Sequence, residues 1–399
     1  MPAIIASAPY SSGGVRDPVG DRAQPACMNR PMKRPAALTG LLVAAIVFEL
    51  AARVLFAVRP PPPVSDLQPY QMQDPARRWH KLLRPGFIET YTEAAEFKRQ
   101  TGRVLGEQYL AQLRSDPAQM FIRINRSGFR GPEIDATHTA PRIVTIGDSG
   151  TFGMAESSSY PRVLEDTLRR RGITVEVVNA GVEGYTTQDV LIELDRLKAL
   201  KPEVTTIYLG WNGFFNQEQV FGQPTLAAWR LIRAVIRDVP TFFKTRSAAA
   251  LAAYERPKHA DPHARDVARL DGFEPAFFPE IREVVRQMQS SGSRVVLLTL
   301  PGLYGLDREP TERMLKIGHL PLYTDNPYVL AKLSARLNEL LRQLAREESA
   351  DLIDVDGWSQ TALQPRERYF FDSVHLTDEG QAMLGRYIAD HLPMVLRTR

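Results

Sequence analysis

The chain has a single cysteine, Cys27, among 399 residues. It lies ahead of the first apolar run, so the body of the protein holds no internal disulfide and no cysteine-based zinc or redox centre. No apolar run precedes Cys27 either, which argues against a lipoprotein signal. An excess of charge is also lacking: 50 basic residues face 46 acidic ones, leaving +4, and the basic residues are dispersed among the acidic ones. Nucleic acid is therefore not an expected partner. No internal repeat is visible. His259 and His263 have the spacing of a helical metal pair, but Pro262 between them breaks the helix such a pair needs. No metal and no other cofactor is expected.

What is present begins with a membrane signal. Residues 1–35 are expected to form a disordered cytoplasmic N-terminus, since the first 31 are rich in Pro, Ser, Gly, Ala and Arg without apolar periodicity. From Ala36 to Val58 the chain is nearly all apolar, and 23 residues at helical rise are long enough to cross a bilayer. Glu49 and Arg53 interrupt the run, but their spacing of four puts them on one helix face where they can pair. Arg22, Arg30, Lys33 and Arg34 precede the run, whereas Arg59 is the only basic residue in the fifteen that follow Val58. The positive-inside rule then leaves the N-terminus in the cytoplasm and the body outside, in the periplasm or on the cell surface. A cleaved signal peptide is the rival, with Ala36 to Phe48 as its apolar core, but no clean small-x-small site follows it. A linker, 59–75, starts with Pro60 to Pro63, a stiff spacer.

Residues 76–140 are expected as an N-terminal extension packed on the main domain, with a helix around Glu93 to Arg114. Phe121 to Pro132 alternates apolar and basic residues before turn signals, which suits an edge hairpin. Its Arg123, Arg126 and Arg130 are either contacts for an anionic substrate or the charges that protect an exposed edge. From 141 to 399, short apolar strands (142–146, 174–179, 204–209, 294–300, 351–355) alternate with amphipathic helices. Five strands with helical crossovers require a mostly parallel sheet covered on both faces, an α/β fold. The last helix is expected to start after Thr377, a good N-cap. An insertion, 214–276, interrupts the rhythm with a helical stretch from Pro224 to Tyr254. Its apolar face, Leu226, Trp229, Leu231, Ile232, Val235 and Ile236, is expected in the core, although its place also suits a lid.

Four short motifs sit at strand ends or just before a helix, where ligands bind in such folds. Ser149 follows the first strand in Gly147-Asp148-Ser149-Gly150. Gly181 follows the second in Asn179-Ala180-Gly181, Asn212 the third in Gly210-Trp211-Asn212, and Asp372 precedes His375 by three residues near the C-terminus. Together they supply an acyl-transfer site. His375 takes the Ser149 proton and Asp372 holds the His375 tautomer, while the N–H groups of Ser149 and Gly181 and the Asn212 amide form an oxyanion hole. Asp148 more plausibly orders the turn. Each motif alone also reads as structural: Gly181 as a loop former, Asn212 as a cap, Asp372 with His375 as a pair ahead of a helix.

These motifs, Gly147-Asp148-Ser149, Gly181, Gly210-x-Asn212 and Asp372-x-x-His375, resemble the four sequence blocks of the SGNH/GDSL hydrolase family over about residues 140–392. The resemblance implies a flavodoxin-like three-layer α/β/α sandwich and ester hydrolysis, with Ser149, Gly181, Asn212 and His375 as the family's named residues. Gly213 stands where the family usually has an acidic residue. The expectation is a membrane-anchored serine esterase that removes acyl groups, most plausibly acetyl, from a glycan or similar hydroxylated substrate. Two alternatives stay open: an O-acyltransferase using the same serine, and a non-catalytic envelope scaffold.

Overall fold

The computed structural model describes residues 34–58, 63–64, 67–100, 120–222, 226–229, 231–232 and 255–396. The apolar run forms helix α1, Arg34–Val58, whose stretch Leu38–Val58 has a mean hydropathy of 2.4 and presents its apolar side chains outward. One such helix is what a membrane anchor requires.

Two small antiparallel pairs follow. β1, Gln71–Gln73, pairs with β2, Lys81–Leu83, and β3, Ile88–Thr90, pairs with β4, Met120–Arg123. The expected linker is therefore structured by residue 70: Tyr70 and Gln71 are buried because each has a partner on the main domain. A helix, α2, covers Tyr91–Gln100, and the remainder of the expected 93–114 helix lies outside the described residues. Arg130 bridges antiparallel to Asn179, so the 121–132 stretch does cover one edge of the main sheet.

That sheet has five parallel strands: β5, Arg142–Gly147; β6, Glu176–Gly181; β7, Val204–Tyr208; β8, Arg294–Leu298; and β9, Asp351–Ile353. Their spatial order is β6-β5-β7-β8-β9. Every residue of β5 and β7 is buried, which accounts for runs such as Ile143-Val144-Thr145-Ile146 where a one-sided sheet would alternate. The first crossover steps one way along the sheet and the later ones step the other way. With right-handed connections, the intervening helices must divide between the two faces. On one, α3, Tyr160–Arg170, packs on the last helix, α7, Asp378–Leu396; on the other, α4, Thr187–Lys198, packs on α5, Phe278–Ser290. A further long helix, α6, Pro327–Glu347, leads into β9. Thr377 caps α7 as expected, accepting from the Gly380 N–H at 3.2 Å.

The insertion departs from expectation where it is described. Leu226, Trp229 and Ile232 are exposed, not core. A helical repeat of apolar residues fixes which side chains share a face, not what covers that face. Leu231 is half-buried, and Val235 and Ile236 lie outside the described residues.

Candidate active site

Register sets the site. Gly147 of β5 lies opposite Gly181 of β6 and Tyr208 of β7, so the segments that leave these three strands start level at one edge of the sheet. The chain order reverses at β5, which makes its carboxyl end the switch point where open α/β sheets bind ligands.

Ser149 begins a one-turn helix, Ser149–Phe152, directly after β5. Asp148 caps it, accepting from the Gly150 N–H at 2.9 Å. The turn is tight enough to demand glycine before it: a Cβ on Gly147 would lie 2.5 Å from the Tyr208 carbonyl oxygen. Gln381 of α7 braces the turn from outside, donating to the Gly150 carbonyl at 2.9 Å and accepting from the Tyr160 N–H at 3.0 Å. Asp148 is wholly buried, and desolvation pushes its carboxyl up to about 6 against the lowering effect of the Gly150 N–H and His375.

Residues more than two hundred positions apart then meet. The Ser149 hydroxyl lies 2.7 Å from His375 Nε2, and His375 Nδ1 donates to Asp372 Oδ2 at 2.7 Å. Asp372 Oδ1 accepts from the N–H groups of Val374 at 2.9 Å and His375 at 2.8 Å, which fixes the carboxylate under the ring. Burial by itself would lower the His375 pKa, but the charge and hydrogen bond of Asp372, with Asp148 and Glu183 adding to them, raise it to about 9. Asp372 answers in kind: burial opposes its charge, yet His375 holds it far below the ordinary carboxylate range. A hydroxyl against an imidazole oriented by a buried carboxylate is the arrangement that lets the hydroxyl oxygen attack a carbonyl as its proton leaves.

A model described as the GDSL-like Lipase/Acylhydrolase family matches residues 145–383. The chain belongs to this family. It is a serine ester hydrolase. No curated protein matches. Among solved structures, similar ones include a lipase/acylhydrolase from Enterococcus faecalis (18% identity, TM-score 0.40, covering 64% of this chain and 96% of that one). Others are an acetyl xylan esterase, AlAXEase (15%, TM-score 0.40, 63% and 99%), and a catalytic mutant of an acetylxylan esterase from Geobacillus stearothermophilus (17%, TM-score 0.39, 63% and 94%).

The donor side of the site needs one correction. Gly181 does come close to the nucleophile turn, since a Cβ there would lie 2.3 Å from the Phe152 nitrogen. Its own N–H, however, donates to Asn179 Oδ1 at 2.9 Å. A donor already spent inside the fold does not reach an oxyanion. Three residues on, the Tyr185 N–H donates to the Val182 carbonyl at 3.1 Å and closes a turn with Gly184 at φ +78°, the third position that a type II turn reserves for glycine. Gly184 N–H makes no hydrogen bond among the described residues. The pattern Val182-Glu183-Gly184-Tyr185 is itself a turn signal in the sequence and marks this glycine. Asn212 sits on the short helix Trp211–Phe215, and its Nδ2 donates to the Tyr185 carbonyl at 2.9 Å. An amide carries two N–H bonds, so the second remains for a ligand.

The arginines divide: Arg126 is exposed, as an edge-protecting charge would be, whereas Arg130 and Arg123 find partners inside the protein. Arg130 is buried, donating to the carbonyls of Gly153 at 3.0 Å, Phe121 at 3.0 Å and Met154 at 2.8 Å, with its guanidinium 3.9 Å from the Phe152 ring centroid. It serves the backbone and is open neither to solvent nor to a substrate. Arg123 pairs with Glu156. A second imidazole that the sequence did not single out, His319, stands 3.9 Å from Asp372 and stacks on Phe215. Among the described residues no cluster of His, Cys, Asp and Glu could hold a metal ion, the His259 and His263 pair included.

Proposed function

We propose that this chain is a membrane-anchored esterase whose domain lies outside the cytoplasm, where it removes short acyl groups, acetyl first among them, from a hydroxylated substrate such as a glycan. Ser149 is the nucleophile, His375 the base that takes its proton and later returns it to the departing alcohol, and Asp372 the group that orients His375. The Ser149 N–H, the second Asn212 N–H and the Gly184 N–H receive the oxyanion. The observation that carries this reading is the unbroken relay of 2.7 Å hydrogen bonds from Ser149 through His375 to Asp372. The glycan part is supported by the charge asymmetry around α1, which leaves the body on the side where envelope polysaccharides are found.

The test is acetate release by the full chain in detergent, from aryl acetates and from acetylated polysaccharide, with and without a sugar acceptor. Free acetate is expected whether or not the acceptor is present; transfer that depends on the acceptor would replace hydrolysis by acyl transfer. Ser149→Ala and His375→Ala should each lose several powers of ten in turnover, and the double variant little more, because the two groups act as one unit. Additive losses would overturn the assignment.

A further inference from the structure

The turn that carries Gly184 and Tyr185 is held from outside the α/β core, by the segment that follows the apolar helix. Tyr70 donates its hydroxyl to the Glu183 carboxylate, and Gln71 Nε2 donates to the Glu183 carbonyl at 3.1 Å. The Tyr185 hydroxyl donates to the Lys81 carbonyl at 2.7 Å. Lys81 Nζ lies over the turn, only 2.4 Å from where a Cβ on Gly184 would stand.

Between these contacts is His80, with 0% of its surface exposed. Its Nδ1 is 3.1 Å from Asp189 and its Nε2 3.2 Å from Glu193, both on α4, and the Tyr185 hydroxyl approaches the same ring at 3.3 Å. Asp189 also completes the capping box at the start of α4 with Thr186, the residue after Tyr185. A buried cation between two carboxylates is a poor source of net stability, because desolvation of all three charges offsets their attraction. It is a good source of geometry: an imidazole bound at both nitrogens cannot turn without breaking a charged bond.

We propose that the segment from Tyr70 to Leu83 is a working part of the oxyanion site, with His80 and the Tyr185 hydroxyl as positioning groups that fix the Asn212 amide through the Tyr185 carbonyl. The line of contact is short. His80 and Lys81 fix Tyr185, and the Tyr185 carbonyl takes one N–H of Asn212 at 2.9 Å, which aims the other. Gly213 leaves no acidic side chain beside Asn212 in sequence, so a backbone carbonyl held by this outer segment is what orients the amide. The proposal rests on the reading of Asn212 as an oxyanion donor, and its test separates the two.

Tyr185→Phe and His80→Gln are made in the full chain in detergent, each with and without Asn212→Ala, and kcat and KM are measured on 4-nitrophenyl acetate alongside thermal unfolding. Asn212→Ala alone should cost about 10²- to 10³-fold in kcat, the usual loss for one oxyanion donor. Tyr185→Phe and His80→Gln should each lower kcat about 10- to 100-fold with KM within about twofold, since a displacement of ~1 Å at a reacting group costs up to ~100-fold. In either background Asn212→Ala should then cost less than it does alone, by the factor the first substitution has already removed, so that the double variant is no slower than Asn212→Ala itself. Wild-type kcat in Tyr185→Phe, or a full Asn212→Ala loss in both backgrounds, would overturn the proposal. An Asn212→Ala enzyme with undiminished kcat would instead remove the oxyanion reading and the proposal with it. If His80→Gln fails to fold, Tyr185→Phe decides alone, because it removes one hydroxyl and leaves the ring.

Discussion

Asparagine at position 372 would separate the two jobs the carboxylate does for His375, holding a tautomer and holding a charge. Its shape is nearly that of aspartate, so the bonds from the Val374 and His375 N–H groups can persist. An amide N–H facing His375 Nδ1 forces the ring proton onto Nε2, which then donates toward Ser149 where it should accept. Loss of the correct tautomer costs ~10⁴-fold in kcat in triads of this kind. The charge effect runs the other way. With Asp372 in place His375 titrates at about 9, so at pH 7 only ~1% of the wild-type imidazole is free to accept a proton. Without that carboxylate, burial is left as the largest influence on His375 and lowers its pKa, so a larger share of the ring is neutral at pH 7. The wild-type to Asp372→Asn ratio in kcat/KM should therefore be ~10⁴ above pH 9.5 and should fall toward pH 7, with ~10² as the limit for a fully neutral ring in the variant. The assay is 4-nitrophenyl acetate hydrolysis from pH 6 to pH 10.5 with the buffer rate subtracted. A ratio that stays constant across that range would mean that Asp372 does not set the protonation of His375, and the reasoning would fail.

Arg130→Met should lower stability by about 3 kcal/mol, because three buried carbonyls lose their donor, and Tm should fall by about 4–6 °C in a body of this size. KM should not change even for an anionic ester; a raised KM with an unchanged Tm would make Arg130 a substrate contact. Asp148→Asn should act through linkage. The folded-state value of Asp148, about 6, lies above its ordinary 3.8, so ionisation destabilises the fold as pH rises through that interval, by at most ~3 kcal/mol once complete. Unfolding of the variant should therefore shift upward relative to wild type at pH 8 and not at pH 4, and equal shifts at both pH values would exclude a buried charge as the cause.

Much of the architecture is legible because a parallel strand buried on both faces leaves a plain mark. Ile143 to Ile146 and Val295 to Leu298 hold continuous apolar or β-branched residues, and the strand boundaries differ from expectation by a residue or two, as strand ends do. The proposed catalytic groups are legible for a related reason: Ser149, Asn212 and His375 each follow a recognisable boundary. Gly181 is the exception. It reads as the first residue past a strand, but β6 runs through it, and the Asn179 side chain turns back to take its N–H. Nothing in residue type separates a glycine that closes a strand from one that opens a turn; the hydrogen bond decides it.

The polar side chains that shape the site, charged and neutral, share one physical origin. Where β5, β6 and β7 end, the ladder bonds that satisfied their backbone also end, and the polar groups of the following turns need partners in a buried setting. Arg130 meets the carbonyls of Phe121, Gly153 and Met154, Asp148 meets the Gly150 N–H, and Asn179 meets the Gly181 N–H. Composition reads these residues as surface or loop, because polarity is visible in a sequence and the backbone group that consumes it is not. Their cost in desolvation is accepted at the edge of the sheet that carries Ser149, where Asp148, by raising the His375 pKa, bears on the reaction as well as on the turn. Substitutions in this set should therefore move stability and pH dependence together, whereas substitutions in the apolar interior of the sheet should move stability alone.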